Sequence, residues 1–284
     1  FTASTHDYIL FFTDTGKVYR KKGYQIPESG KAAKGTNIVN ILQVEQGERI
    51  QAMIHTRSIE DDGRFLFMVT RNGTVKRLPA NTLKNLRNNG IRALRMEEGD
   101  QLIAVRETDG SQKILIATHD GMAVCFDEND VRPMGRDAVG VRGIRLRQGD
   151  YVVGAARAKA NHAVLAITEN GYGKRTDMDE YIRADGPQKR GGFGLKGYNV
   201  TEKTGPVVGV KVVSDEDDVL VINDAGVIIR MAAAGISTYG RTAQGVKIMN
   251  LEEGVKVISF ARTDHEEEEE AAEGETPAGG PEQA

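Results

Sequence analysis

The chain has 284 residues, enough to bury a full core in one or two domains, and its 39% hydrophobic content includes no run near the roughly 18 apolar residues of a membrane helix. No basic-then-apolar leader opens it, and Cys125 is the only cysteine, which excludes a disulfide framework or a cysteine metal site and suits a reducing compartment. The formal charge of −3 hides an asymmetry: residues 264–284 carry nine acids and no Lys or Arg, and setting them aside leaves 38 basic against 32 acidic residues, about +6 on the body. A basic body with an acidic tail points to a polyanionic partner. The first residue is Phe1 and strand-like sequence begins within ten residues, so a fragment of a longer protein is expected.

In chain order, one pattern recurs. A β-rich run leads to a polar pair and a glycine, then to a second run. It is seen as Tyr8–Thr13, Asp14-Thr15-Gly16, Lys17–Arg20, and again as Phe65–Thr70, Arg71-Asn72-Gly73, Thr74–Arg77. The later copies are Ile114–Thr118 with His119-Asp120-Gly121, Val164–Thr168 with Glu169-Asn170-Gly171, and Val219–Asn223 with Asp224-Ala225-Gly226. The turn glycines lie 57, 48, 50 and 55 residues apart. Asn-Gly and Asp-Gly between such runs predict tight hairpins with φ > 0 at both central residues. Cys125, within Ala123-Val124-Cys125-Phe126, reads as a small buried strand residue.

A second segment follows each hairpin. Gly90–Asp100 aligns without gaps on Gly140–Asp150, and Gly245–Gly254 is a third copy; looser versions run from Gly35 to Gly47 and from Gly194 to Gly205. Each reads as a second hairpin and leads into a further apolar run, such as Ile50–Ile54 or Leu102–Val105. Five repeats of about 50 residues, at about 7–54, 64–106, 113–157, 163–211 and 218–262, thus predict an all-β, propeller-like ring of four-stranded blades over residues 1–263. Pro79–Leu86 has room for a single helical turn, and residues 264–284 are expected to be a disordered acidic tail.

Catalytic chemistry finds little support. The five histidines lack metal-ligand spacing, and Gly191-Gly192-Phe193-Gly194 lacks the Lys-Ser/Thr ending of a P-loop. The stretch Gln188-Lys189-Arg190-Gly191-Gly192-Phe193-Gly194 instead combines cations, which attract phosphate, with glycines that let backbone approach a ligand. It matches the Q-R-R-G-G-K-G box of bacterial DNA gyrase A at five of seven positions, with Lys189 and Phe193 as the departures. With Thr5–Phe12, Gly16–Tyr19, Arg132–Arg136, Gly140–Gly143 and Asn170–Thr176, the likeness covers almost all of residues 5–263, and the chain resembles the C-terminal domain of that family.

The resemblance implies a β-pinwheel of six blades that exchange strands. Such a domain bends duplex DNA around its rim and supports ATP-dependent negative supercoiling in a cytoplasmic heterotetramer with the rest of gyrase A and with gyrase B. It implies no cofactor here, since ATP and Mg would act elsewhere, and none of this chain's tyrosines reads as the strand-cleaving nucleophile. Only five repeats are found, so either a first blade precedes this chain or the homologue has five, as topoisomerase IV domains can. The alternatives are therefore a topoisomerase IV domain or a propeller that binds protein. Four residues before the aligned glycines lie Lys31, Leu86, Arg136, Arg190 and Arg241, with Arg87 beside Leu86. A cation per blade predicts a curved basic track read through phosphates. The candidate DNA-binding set is Lys31, Lys34, Arg87, Arg136, Arg142, Lys174, Arg175, Gln188, Lys189, Arg190, Gly191, Gly192, Lys196, Arg241 and Lys247. The strand-end cations Arg20, Arg77, Arg175 and Arg230 form a second periodic set.

Overall fold

Five equivalent hairpins carry the fold, and each closes in the same way. In a computed structural model, which describes residues 3–30, 33–59, 63–86, 88–182, 186 and 188–264, the first run of each repeat ends in a buried Thr13, Thr70, Thr118, Thr168 or Asn223. The side-chain oxygen of each accepts the backbone N–H four residues on, from Lys17 (3.1 Å), Thr74 (3.1 Å), Met122 (3.2 Å), Tyr172 (3.3 Å) and Val227 (2.9 Å). The expectation of positive φ at both turn residues is corrected. Among residues such as Asn72 and Asn170 none has positive φ; only the following glycine does, as at Gly16 (+82°) and Gly73 (+81°), whose N–H bonds back to Thr13 and Thr70 (both 3.1 Å). The turns are four-residue turns closed by a left-handed glycine, which lets the threonine satisfy the extra amide.

The first blade is built from Tyr8–Thr13, Lys17–Lys22 and Ile50–Thr56, and the second from Phe65–Thr70, Thr74–Pro79 and Leu102–Thr108. The third uses Lys113–Thr118, Met122–Asp127 and Val152–Arg157; the fourth uses Ala163–Thr168, Tyr172–Asp177 and Val207–Val213. Each of these four sheets gains its outermost strand from the next repeat: Ile91–Arg92, Val141–Arg142, Leu195–Lys196 and Val246–Lys247, all antiparallel. The second segment is therefore not a hairpin on its own blade, as its sequence suggested, but a two-residue strand given to the preceding blade. The fifth sheet, Asp217–Asn223, Ile228–Ala232 and Val257–Asp264, has three strands among the described residues. The single helical turn after Pro79 is a 3-10 turn at Ala80–Leu83.

Glycine makes the exchange possible. Gly194 (φ +76°) lies so close to the receiving strand that a Cβ would sit 2.2 Å from the Ala123 carbonyl oxygen, and a Cβ on Gly245 (φ +73°) would sit 2.3 Å from that of Gly173. No other residue permits both the conformation and the approach.

The first strands of the second, third and fourth hairpins are sandwiched between neighbouring blades, which explains their near-continuous apolar sequence. Leu66 and Met68 face Leu10 and Phe12 of the first blade, while Phe67 and Val69 face Ile114 and Ile116 of the third. Leu115 and Ala117 meet Val164 and Ala166, and Leu165 and Ile167 meet Val219 and Val221. Each fully buried large side chain contributes about 1.5–3 kcal/mol, so the blade interfaces are the core. Cys125 is fully buried, and burial pushes its thiol up to about 11. The first repeat differs: its Ile38, Ile41 and Leu42 fold over Ile9, Phe11 and Tyr19 of its own blade. The third strands of all five blades, each bulged near its start, line a central channel of about 670 Å³. The expected tail lies outside the described residues beyond Asp264, which is the last residue of the fifth blade's inner strand.

Candidate nucleic-acid interface

The donated strands define the outer edge of the blades, and each ends in a cation. Arg92, Arg142, Lys196 and Lys247 occupy the same register, opposite Lys17, Thr74, Met122 and Tyr172, and all four are exposed. None has a carboxylate partner among the described residues; Lys196 donates to the Asn199 amide oxygen (2.6 Å). Strand pairing fixes this spacing, so the row is a property of the fold and not of flexible loops. Arg92 was missed by the loop alignment, although the gapless match of Gly90-Ile91-Arg92 on Gly140-Val141-Arg142 contained the signal.

The loops before these strands present a second row. Arg136 is exposed. Arg190 donates from Nη1 to the Arg142 carbonyl (2.9 Å) and from Nε to the Asp130 carbonyl (2.8 Å), and Arg241 donates from Nη1 to the Lys196 carbonyl (3.0 Å). Both guanidinium groups thus lie across the donated strand of the blade before, next to its exposed cation. Lys189 is exposed and pairs with Asp130 at 3.0 Å, and Lys34 is exposed. Lys31 and Arg87 lie outside the described residues.

Other members of the expected set are placed elsewhere. Lys174 is fully buried and donates to the Gly240 (2.7 Å) and Arg241 (2.5 Å) carbonyls; Lys76, at the same position of the second blade, is buried and reaches the Ala93, Arg136 and Ala138 carbonyls at 2.7–2.9 Å. Burial lowers both ammonium groups to about 8. They anchor the loops from below and do not reach a ligand on the rim. Arg175 is held by the Ile236 carbonyl (2.6 Å) and by Asp215, Arg77 by buried Glu128 (3.1 Å), Arg230 by Asp218 (2.7 Å), and Arg20 by the Lys84 carbonyl (3.1 Å). Arg20, Arg77 and Arg175 clamp loops of the following repeat, while Arg230 pairs across its own hairpin.

The glycine-rich loop is occupied too. Gln188 is buried, the Gly191 N–H bonds to the Gly143 carbonyl (2.6 Å), and the Gly192 carbonyl accepts from the backbone N–H of Arg145 (2.8 Å). The close approach its glycines allow is to the neighbouring repeat. Phe193 is 41% exposed under the Arg145 guanidinium, 4.8 Å from its ring centroid. What the loop offers outward is Lys189, one edge of Arg190, and Phe193.

With this geometry in hand, the comparisons with known proteins converge. The family model described as the DNA gyrase C-terminal domain, beta-propeller, matches residues 7–57, 64–109, 112–159, 162–214 and 217–264, one match per blade. The chain belongs to that family. A DNA gyrase A protein of Clostridium acetobutylicum is 48% identical over 275 residues, covering 97% of this chain and 32% of the relative. One of Staphylococcus aureus is 43% identical over 276 residues, covering 96% and 31%. The chain thus spans about a third of the length of the curated relatives it matches. Among solved structures, a DNA gyrase A C-terminal domain aligns with a TM-score of 0.78 at 26% identity, over 92% of this chain and 83% of that one. The C-terminal domain of a DNA topoisomerase IV aligns at 0.82 and 26%, over 92% and 80%. Gyrase-family membership agrees with the strand exchange seen between successive blades. No helix among the described residues is long and apolar enough to cross a membrane.

Proposed function

We propose that this domain binds duplex DNA along its outer rim and bends it, as the non-catalytic C-terminal part of a DNA gyrase A protein. In that role it supports negative supercoiling driven by ATP hydrolysis elsewhere in a cytoplasmic assembly with gyrase B. The observation that carries this reading is the row Arg92, Arg142, Lys196 and Lys247, exposed, equivalent and without acidic partners among the described residues. A row of cations fixed on successive blades of a curved wall neutralises phosphates along one face of a duplex. Such contacts fix position without reading bases, so affinity depends on salt and on how easily the DNA bends. The topoisomerase IV reading shares this chemistry; the curated relatives, both gyrase A proteins, favour gyrase. The test is to relax a nicked plasmid with saturating domain, ligate it, remove the protein and measure the linking number. A displaced distribution is expected, and one identical to the protein-free control overturns the proposal.

A further inference from the structure

The central channel is electrically lopsided. At the hairpin-turn mouth its charges are matched: Lys256 binds Glu169 (2.6 Å) and takes the Asp224 carboxylate through its backbone N–H (3.0 Å), while Arg71 and His119 stack on Tyr151 at 3.5 and 4.4 Å. Four residues along the inner strands, roughly 13 Å away, the wall carries Arg106 from the second blade and Lys211 from the fourth, both half-buried and both lining the cavity. Neither has a carboxylate partner among the described residues. Arg106 donates only to its neighbouring Val105 carbonyl (2.7 Å), and the Lys211 ammonium makes no hydrogen bond there. Arg157 of the third blade adds like charge nearby, while Arg262 of the fifth is paired with Asp217 at 3.4 Å.

We infer that this end of the channel is an anion site for a small oligophosphate, with Arg106 and Lys211 as its ligands. Two half-buried cations aimed into one cavity without a counter-charge carry a desolvation and repulsion cost that nothing in the described protein offsets. A multivalent oxyanion removes that cost by bonding to the guanidinium edge and the ammonium together. A channel of about 670 Å³ admits pyrophosphate or tripolyphosphate but not a DNA duplex, so the site is separate from the rim and stands or falls independently of DNA wrapping. Burial and the neighbouring arginines lower Lys211 to about 8, and an anion in contact would restore its charge. Carboxylates of the acidic stretch Glu266–Glu270, which follows the fifth inner strand, offer related chemistry from within the chain.

The experiment is calorimetric titration of the 284-residue chain with pyrophosphate and tripolyphosphate at constant ionic strength. Saturable one-site binding is expected, weakened at least about tenfold in Lys211→Met and in Arg106→Gln, kept in Lys211→Arg, and unchanged in the rim variant Arg142→Gln/Lys196→Gln. Thermal melts add a readout that does not depend on detecting binding heat. Lys211→Met should melt above the parent without ligand, because an uncompensated charge is gone, and oligophosphate should raise the melting temperature of the parent and of Lys211→Arg more than that of Lys211→Met. Tighter oligophosphate binding after removal of residues 265–284 would identify the tail carboxylates as the resident competitor at the same site. Absence of saturable binding, or equal binding by the parent and Lys211→Met, overturns the assignment.

Discussion

The buried ammonium of Lys174 donates to the carbonyl of Arg241 at 2.5 Å, while the guanidinium of Arg241 turns outward and bonds to the Lys196 carbonyl at 3.0 Å. One cation that never reaches the surface thus sets the position of one that does. Lys76 holds the Arg136 carbonyl (2.7 Å) in the same way. Lys174→Met should strand the Gly240 and Arg241 carbonyls and cost about 1–3 kcal/mol for each one left without a partner. DNA bending should fall although no phosphate contact has been removed. Circular dichroism melts and a bending assay on the same variant check both halves; unchanged bending would mean that the loop does not depend on this anchor.

The same two lysines give the domain a pH signature. Burial lowers each to about 8 against an ordinary value near 10.5, so between those limits the unfolded chain holds protons that the folded chain has shed. Unfolding free energy then rises with pH across that window, by at most about 1.4 kcal/mol per pH unit per lysine. Below it both states are protonated and the full cost of the buried charge is present. Urea unfolding at about pH 8 and about pH 9.5 should show this rise in the parent and a smaller one in Lys174→Met. Lys211 titrates in the same range and is common to both proteins. Parallel pH dependences of the two would sink the argument.

Exposed cations sharing one register should act in parallel. Gln substitution of Arg92, Arg142, Lys196 or Lys247 should each weaken DNA binding mildly and about equally for all sequences. Each should also reduce the slope of log affinity against log salt by about 0.9 if it neutralises one phosphate. Arg190 and Arg241, partly engaged with the donated strands, should contribute less to the slope and more to stability. Salt titrations of the single variants and of the fourfold variant decide it. A single variant that abolishes binding while the other three are silent would replace the rim with one local site.

How much of this was legible in the sequence follows from what each signal measures. The hairpins were legible because Thr-x-x-Gly turns and double-faced apolar runs are local. The partner of the second segment was not: Gly140-Val141-Arg142 reads the same whether it pairs within its own blade or with Thr74–Val75 of the one before. Cation placement divided on burial. Lys174 and Lys196 both belong to the expected DNA-binding set, but the structure places Lys174 inward beneath the loop and Lys196 outward. Arg77 and Arg175 gave no hint of their clamping role, because Glu128 and Asp215 lie far from them in sequence and meet them only through the sheet.

The clamp at Arg77 predicts a loss of stability without a direct loss of affinity. Its Nε lies 3.1 Å from a fully buried Glu128 carboxylate, which also accepts from the Thr108 hydroxyl (2.6 Å) and from the N–H groups of Gly110 (2.9 Å) and Gln112 (2.8 Å). Arg77→Ala leaves that carboxylate buried without its cation, which costs about 3–5 kcal/mol. Denaturant unfolding should show that loss, while affinity measured well below the melting temperature should match the parent. A selective fall in affinity at full folding would instead place Arg77 among the DNA-contacting residues.

Gly194 is where strand exchange and the basic loop meet, and its substitution tests whether the rim depends on the exchange. With φ at +76° and the Ala123 carbonyl oxygen 2.2 Å from where a Cβ would be, Gly194→Ala cannot be absorbed by a side-chain shift; backbone must move. The strand Leu195–Lys196 should then detach from Met122–Ala123, releasing the carbonyl that holds Arg241 and uncovering the outer edge of the third blade. Gly47→Ala is the control, since it shares a positive φ (+88°) but has open space around its Cβ position, so it carries the conformational strain alone. Hydrogen exchange should show faster exchange of the Leu195–Lys196 and Ala123 amides in Gly194→Ala only. DNA bending should fall in step with that exchange. If bending survives while the strand exchanges freely, the rim cations do not need the exchanged strand to be presented, and the geometric basis of the track is lost.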